Sequence, residues 1–149
     1  MILMHAYTYR GYDFERMCRK SKEYGWEGIE LHSCHYPGET IAQAKSRLGE
    51  TMAKYGVVAP TASWGGDVIQ DDREAAQAAL DKAIEGLPHL KELGVQMINT
   101  SVGALYREAP APSGSAIAAE VHYERAAEAM RVLAQELGAL GMTGTFEIH

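Results

Sequence analysis

The last seven residues, Thr143-Gly144-Thr145-Phe146-Glu147-Ile148-His149, bring a carboxylate and an imidazole into one β-prone run. Side chains alternate between the two faces of a strand, so Glu147 and His149 are expected to share one face. Carboxylate oxygens are the ligands that hard divalent cations prefer, and imidazole is suited to bonding a substrate hydroxyl. The run therefore predicts a small polar site on an otherwise apolar strand.

Polar or aromatic side chains also end the four other strands that the sequence predicts. Those strands cover residues 1–9, 28–32, 57–64 and 96–101, and the fifth covers 143–149. Groups suited to a site lie at the strand ends: Tyr7 and Tyr9, then His32, Ser63 with Trp64, and Asn99 with Ser101. Pro60 lies inside the third predicted strand, where it removes a ladder hydrogen bond unless the pairing has a gap there.

Helical spacing of apolar residues predicts one helix after each of the first four strands. Asp13 is a plausible N-cap for the first helix, and Gly25 ends it. The second helix is expected over residues 39–55, and the third follows Asp72, with a kink or restart near Pro88. A long irregular loop over 103–115 precedes the fourth helix over 119–140.

Strict alternation of strands and helices implies parallel strands, as in a doubly wound sheet or a (βα)8 barrel. In a barrel all carboxyl ends of the strands meet at one mouth, which explains why every predicted strand ends in polar groups. No G-x-G-x-x-G run follows the first strand, which disfavours the dinucleotide-binding sheet. We therefore predict a TIM barrel of the (βα)8 type.

The length of the chain accounts for only part of such a barrel. Complete barrels need roughly 250 residues, whereas the 149 residues here supply five parallel strands and four helices. We expect residues 1–149 to form the N-terminal portion, about half, of a single barrel domain, with no second domain. Either the sequence is part of a longer chain, or two copies close the barrel, so a homo-oligomer is expected.

The composition narrows the class of partner and the cellular compartment. The formal net charge of −6 and the absence of a basic block disfavour nucleic acid, and no apolar run is long enough for a membrane span. Cys18 and Cys34 do not form a spaced disulfide framework. We expect a soluble cytoplasmic protein that binds a small molecule.

Several runs, taken in order, resemble the xylose-isomerase-like TIM-barrel superfamily of sugar phosphate isomerases and epimerases. They are Tyr7-Thr8-Tyr9-Arg10, Glu23-Tyr24-Gly25-Trp26-Glu27-Gly28-Ile29-Glu30-Leu31, Glu92-Leu93-Gly94, Glu136-Leu137-Gly138 and Phe146-Glu147-Ile148-His149. The resemblance implies a divalent-metal-dependent isomerase or epimerase acting on a small sugar, sugar phosphate or keto-acid. A dehydratase of the same superfamily and a non-catalytic half-barrel that dimerises and binds a ligand remain alternatives.

The resemblance also assigns roles to individual residues. It makes Glu147 the first ligand of the metal and a catalytic residue, with Mn²⁺ or Mg²⁺ preferred and Co²⁺ or Zn²⁺ as alternatives. The later ligands of the family, an Asp, a His and a second Glu, have no positions in this sequence. The zinc-binding endonuclease branch of the fold is disfavoured by the negative charge.

Four further residues are predicted to contact the substrate. Tyr7 and Trp64 are candidates for an apolar wall on which a sugar ring stacks, and His32 and His149 for hydrogen bonds to its hydroxyls. Glu30 lies deeper in its strand and is predicted to be a buried, paired carboxylate. A zinc site at His32-Ser33-Cys34-His35 is disfavoured, because adjacent residues cannot all point at one ion.

Overall fold

The computed structural model describes residues 2–105 and 114–146, in which strands and α-helices alternate strictly. The strands are β1 (Leu3–Met4), β2 (Gly28–Leu31), β3 (Val58–Gly65), β4 (Met97–Ser101) and β5 (Thr143–Phe146). The helices are α1 (Phe14–Glu23), α2 (Ile41–Tyr55), α3 (Arg73–Glu92) and α4 (Glu120–Ala139). The predicted count of five strands and four helices is therefore confirmed.

The five strands form one parallel sheet in the order β1-β2-β3-β4-β5. Spatial order equals chain order, so each helix crosses over between two strands that are neighbours in the sheet. A doubly wound sheet reverses its strand order at a switch point, whereas a barrel keeps adding strands in one direction. The observed order is that of a barrel, as the polar strand ends predict.

Local sequence signals begin and end the helices as expected. The Asp13 carboxylate accepts a hydrogen bond of 2.6 Å from the Arg16 backbone N–H at the start of α1. Thr40 and Gln43 form a capping box at the start of α2, and Gly56, at φ +62°, ends that helix. Because an L-residue is strained at this φ, the glycine that follows each predicted helix marks a true boundary.

Helix α3 continues without interruption through Pro88, so of the predicted kink or restart near this residue the restart is wrong. Close packing against α2 holds it there: a methyl group on Gly86 would lie 3.2 Å from Ile41, and one on Gly49 would lie 3.4 Å from Leu93. Lys45 also forms an ion pair with Glu92 across the two helices. Tertiary packing thus offsets the hydrogen bond that the proline removes.

The main core lies between the sheet and the helices. Residues that the strands direct towards the helices are fully buried, among them Met4, Ile29, Leu31 and Ile98. Helix residues such as Leu48 and Leu133 pack onto them. None of the helices described by the structure is both long enough and apolar enough to cross a membrane.

Two strands differ in detail from the predicted ones. β1 is confined to Leu3–Met4, and residues that the sequence assigned to the same strand form a 3-10 turn, Ala6–Tyr9. In β3 the register against β2 shifts between Gly28 and Glu30, so three steps of β3 oppose two steps of β2. This irregularity covers the segment that contains Pro60, which is how a parallel strand accommodates a residue without an N–H.

Candidate functional site

The carboxyl ends of the strands bring polar side chains together on the face of the sheet away from the helices. The register pairs Ser63 with Asn99 and Asn99 with Thr145, so these three residues share one face. Glu30 belongs to the same face, because its carboxylate is bonded by the Ser63 hydroxyl. In a closed barrel this face is the interior, and its carboxyl end is the mouth.

Glu30 is the buried centre of a polar cluster at this mouth. It is 8% exposed. Ser63 Oγ donates a hydrogen bond of 2.5 Å to Glu30 Oε1, and His5 Nε2 lies 3.2 Å from Glu30 Oε2. The prediction of a buried, paired carboxylate is therefore confirmed. The sequence alone does not reveal these partners, because Ser63 comes from the neighbouring strand β3 and His5 follows the end of β1.

Tyr7 and His32 lie side by side next to this cluster. Their ring centroids are 5.0 Å apart. The Arg10 guanidinium lies over the Tyr7 ring, 4.7 Å from its centre. Tyr7 belongs to the 3-10 turn after β1 and is 46% exposed. Two of the predicted substrate-contacting residues thus lie together at the mouth, and their role in binding stays a prediction.

His32 is held in a defined orientation. The Cys34 backbone N–H donates a hydrogen bond of 3.1 Å to His32 Nδ1, so a neutral ring carries its hydrogen on Nε2. Burial, followed by the charge of His35, lowers the pKa of His32, and the Glu30 carboxylate opposes this only in part. His32 is therefore a neutral hydrogen-bond donor at neutral pH.

The lowered pKa of His32 predicts a pH-dependent stability. The unfolded ring takes up a proton near pH 6.5, before the folded ring does, so the contribution of His32 is full above that pH and is lost as pH falls through the folded pKa. We expect His32→Gln to flatten the decline of the unfolding free energy below about pH 6.5. Urea unfolding at pH 5, 6, 7 and 8 measures this, and parallel curves for the two proteins would contradict it.

Trp64 lies on the other face of the sheet. The register pairs Trp64 with Thr100, one step beyond the pair of Ser63 with Asn99, so the indole is directed to the helix side. There it contributes, together with Tyr36 and Lys82, to the wall of a cavity of about 500 Å³ between α2 and α3. A methyl group on Gly66 would approach the indole to 2.4 Å, so this arrangement requires glycine. The stacking role of Trp64 stays a prediction.

Glu147 and His149 lie outside the described residues. β5 ends at Phe146, and Thr145 contacts Asn99, its Oγ1 lying 3.3 Å from the Asn99 Oδ1. Within residues 2–105 and 114–146, no group of three His, Cys, Asp or Glu side chains is placed to hold a metal ion. The metal site that involves Glu147 therefore stays a prediction.

Comparisons with known proteins identify the architecture. No family model matches the sequence, and no curated protein sequence matches it. Among solved structures, D-psicose 3-epimerase superposes with a TM-score of 0.74 at 17% identity, over 98% of this chain and 51% of that chain. D-allulose 3-epimerase from Methylomonas sp. gives 0.74 at 19% identity, over 99% and 50%. A xylose isomerase domain protein from Salmonella typhimurium gives 0.67 at 14% identity, over 97% and 48%.

These superpositions cover different shares of this chain and of the solved structures. Nearly all of this chain superposes, but it spans only about half the length of the solved structures it matches. At this level of identity the likeness concerns the fold. The chain therefore has the fold of about half a TIM barrel, as the alternation of strands and helices and the polar strand ends predict.

Proposed function

We propose that this chain provides about half of the mouth of an isomerase or epimerase acting on a small sugar, sugar phosphate or keto-acid. The observation that carries the proposal is the Glu30 cluster with His5 and Ser63 at the carboxyl ends of the strands. This is where barrel enzymes place their catalytic groups. The solved structures that share the fold include D-psicose 3-epimerase with D-fructose and D-allulose 3-epimerase with D-allulose, which favours ketoses as the substrate class.

The proposed enzyme uses a divalent metal ion, and Glu147 is its proposed first ligand. Thr145 shares a face with Asn99, and strand alternation predicts the same face for Glu147, which fits a ligand directed into the barrel. Mn²⁺ or Mg²⁺ is preferred, with Co²⁺ or Zn²⁺ as alternatives. Such an ion polarises the carbonyl group of the substrate when bound. The remaining ligands of a complete site would come from strands beyond those described.

The proposal is tested by the exchange of a substrate proton with solvent. The protein is incubated with Mn²⁺ and D-fructose, D-tagatose or D-psicose in D₂O, and NMR follows deuterium incorporation next to the carbonyl group together with the appearance of the epimer. We expect both signals, and we expect Glu147→Gln to reduce their rate by about 10²-fold or more. Glu23→Gln, on the exposed surface of α1, is the matched control. The assay is decisive for protein in which the barrel is closed by further strands, and such protein, if folded but unable to exchange a substrate proton, would contradict the proposal.

A half-barrel that closes by pairing with a second copy is a second candidate, favoured by the exposure of the sheet. All four residues of β5 are exposed, with Phe146 at 50%, and Val58 of β3 is 49% exposed. Exposed parallel edges pair readily with further strands. Analytical ultracentrifugation of the 149-residue chain is expected to show a dimer, and a stable monomer would count against this candidate.

A further inference from the structure

Four side chains form a continuous line of contacts across the mouth. Ser63 of β3 donates to Glu30 of β2 at 2.5 Å. The other carboxylate oxygen faces His5 Nε2 at 3.2 Å, and His5 Nδ1 lies 3.4 Å from Thr8 Oγ1 in the 3-10 turn. The line begins at Ser63, passes through the buried Glu30 and then His5, and ends at Thr8, which is exposed.

The chemistry of each group fixes the direction of the hydrogen bonds in this line. A carboxylate accepts hydrogen bonds, so at these two contacts Ser63 Oγ and, at 3.2 Å, His5 Nε2 are the groups that can supply a hydrogen to Glu30. A neutral imidazole with its hydrogen on Nε2 leaves Nδ1 as an acceptor, and the Thr8 hydroxyl donates to it. The free lone pairs of Thr8 Oγ1 then remain available as hydrogen-bond acceptors towards the mouth.

A complementary donor lies nearby. His32 Nδ1 is occupied by the Cys34 N–H at 3.1 Å, which leaves Nε2–H of the neutral ring as a donor. His32 also contacts the Tyr7 ring, with 5.0 Å between the ring centroids and 49° between the ring planes. The mouth therefore presents an acceptor at Thr8, a donor at His32 and the partly exposed ring of Tyr7. A hydroxyl both donates and accepts, so this combination matches a ligand with several hydroxyls.

We propose that Glu30 is a positioning residue that holds His5 in the Nε2–H tautomer, so that Thr8 accepts a hydrogen bond from a hydroxyl of a polyhydroxylated ligand. The ligand class rests on the proposed function, but the tautomer does not. An acidic residue that fixes the tautomer of a histidine is an established device in enzymes, where its loss misdirects the imidazole. In this protein the group that the histidine orients is the Thr8 hydroxyl.

The first test needs no ligand. Long-range ¹H–¹⁵N correlation spectra of the 149-residue chain at pH 8 report which ring nitrogen of His5 carries the hydrogen. We expect the signature of Nε2–H with an unprotonated Nδ1. The Nδ1–H tautomer, or rapid averaging between the two tautomers, would overturn the proposal.

The second test asks whether Glu30 acts through Thr8. D-fructose is the probe, and its dissociation constant is measured by ligand-observed NMR for the wild type, Glu30→Gln, Thr8→Val and the double variant. We expect each single change to weaken binding by about tenfold, and the double change to weaken it no further than the single ones. Thr8→Ser should restore binding, and Glu23→Gln is the control. Additive losses would overturn the coupling between Glu30 and Thr8.

The two tests separate the failure of this inference from that of the proposed function. D-fructose binding with the expected coupling but without exchange of a substrate proton would contradict only the proposed function. An Nδ1–H tautomer in a protein that does epimerise ketoses would contradict only the inference. No D-fructose binding by a protein with the Nε2–H tautomer would overturn the assigned ligand class.

Discussion

Replacing Leu48 with alanine is expected to lower the free energy of unfolding by roughly 2–5 kcal/mol. Leu48 is fully buried where α2 packs on the sheet, so the change removes apolar contacts and leaves a cavity. Domains of this kind unfold with about 5–15 kcal/mol in total, so a large share of the stability is at stake. Guanidinium unfolding followed by circular dichroism measures the loss as a lower midpoint at an unchanged slope.

The matched control for this prediction is Val121→Ala on α4. Val121 is 41% exposed, so the loss of its two methyl groups is expected to change the unfolding free energy by no more than about 0.5 kcal/mol. Equal effects at Leu48 and Val121 would show that the α2–sheet contact does not form the core described.

The second large effect is expected from Gly103→Ala, at the end of β4. Gly103 has φ +107°, and a methyl group there would lie 2.6 Å from the Cα of Asp67 and 2.3 Å from its Oδ1. Backbone strain of about 1–3 kcal/mol and overpacking of about 1–3 kcal/mol give an expected loss of roughly 2–6 kcal/mol. Thermal unfolding of the variant measures it.

The absence of a side chain at Gly103 lets the segment after β3 pack closely against the residues after β4. The Gly103→Ala change is therefore expected to displace this segment at the mouth of the barrel. The Val68 backbone N–H donates a 3.0 Å hydrogen bond to Val102 O, which ties this segment to the end of β4. Gly138→Ala is the contrasting variant, because nothing lies within 4 Å of its added methyl group inside α4. For Gly138→Ala we expect the free energy of unfolding to rise by about 0.5–1 kcal/mol. Destabilisation by both changes would contradict the role of the close approach at Gly103.

Local signals were sufficient to predict the fold class. Asp13 and Gly56 bound helices because their side-chain and backbone preferences act within a few residues. The position of Glu30 deep in its strand predicted a buried, paired carboxylate, and Glu30 is buried and paired. The choice of a barrel over a doubly wound sheet followed from the polar end of each strand, and the strand order agrees with it.

The contacts between the side chains of the site could not be predicted from local sequence signals. The partners of Glu30 depend on the register between three strands, and the irregularity near Pro60 shifts that register. The alternation of His5, Tyr7 and Tyr9 fits a strand, yet only Leu3 and Met4 pair with β2. Proximity between residues far apart in sequence cannot be predicted from periodicity, which is why the Ser63–Glu30–His5–Thr8 line required the structure.

The sequential order of the sheet has a consequence for how the chain acquires its structure. Each strand pairs with the strand that precedes it along the chain, so every pairing closes a loop of one helix and its connections. Loops of this length cost little additional entropy, and no strand must wait for a distant partner to be made. The sheet can therefore grow one βα unit at a time as the polypeptide leaves the ribosome, with the newest strand always at the edge.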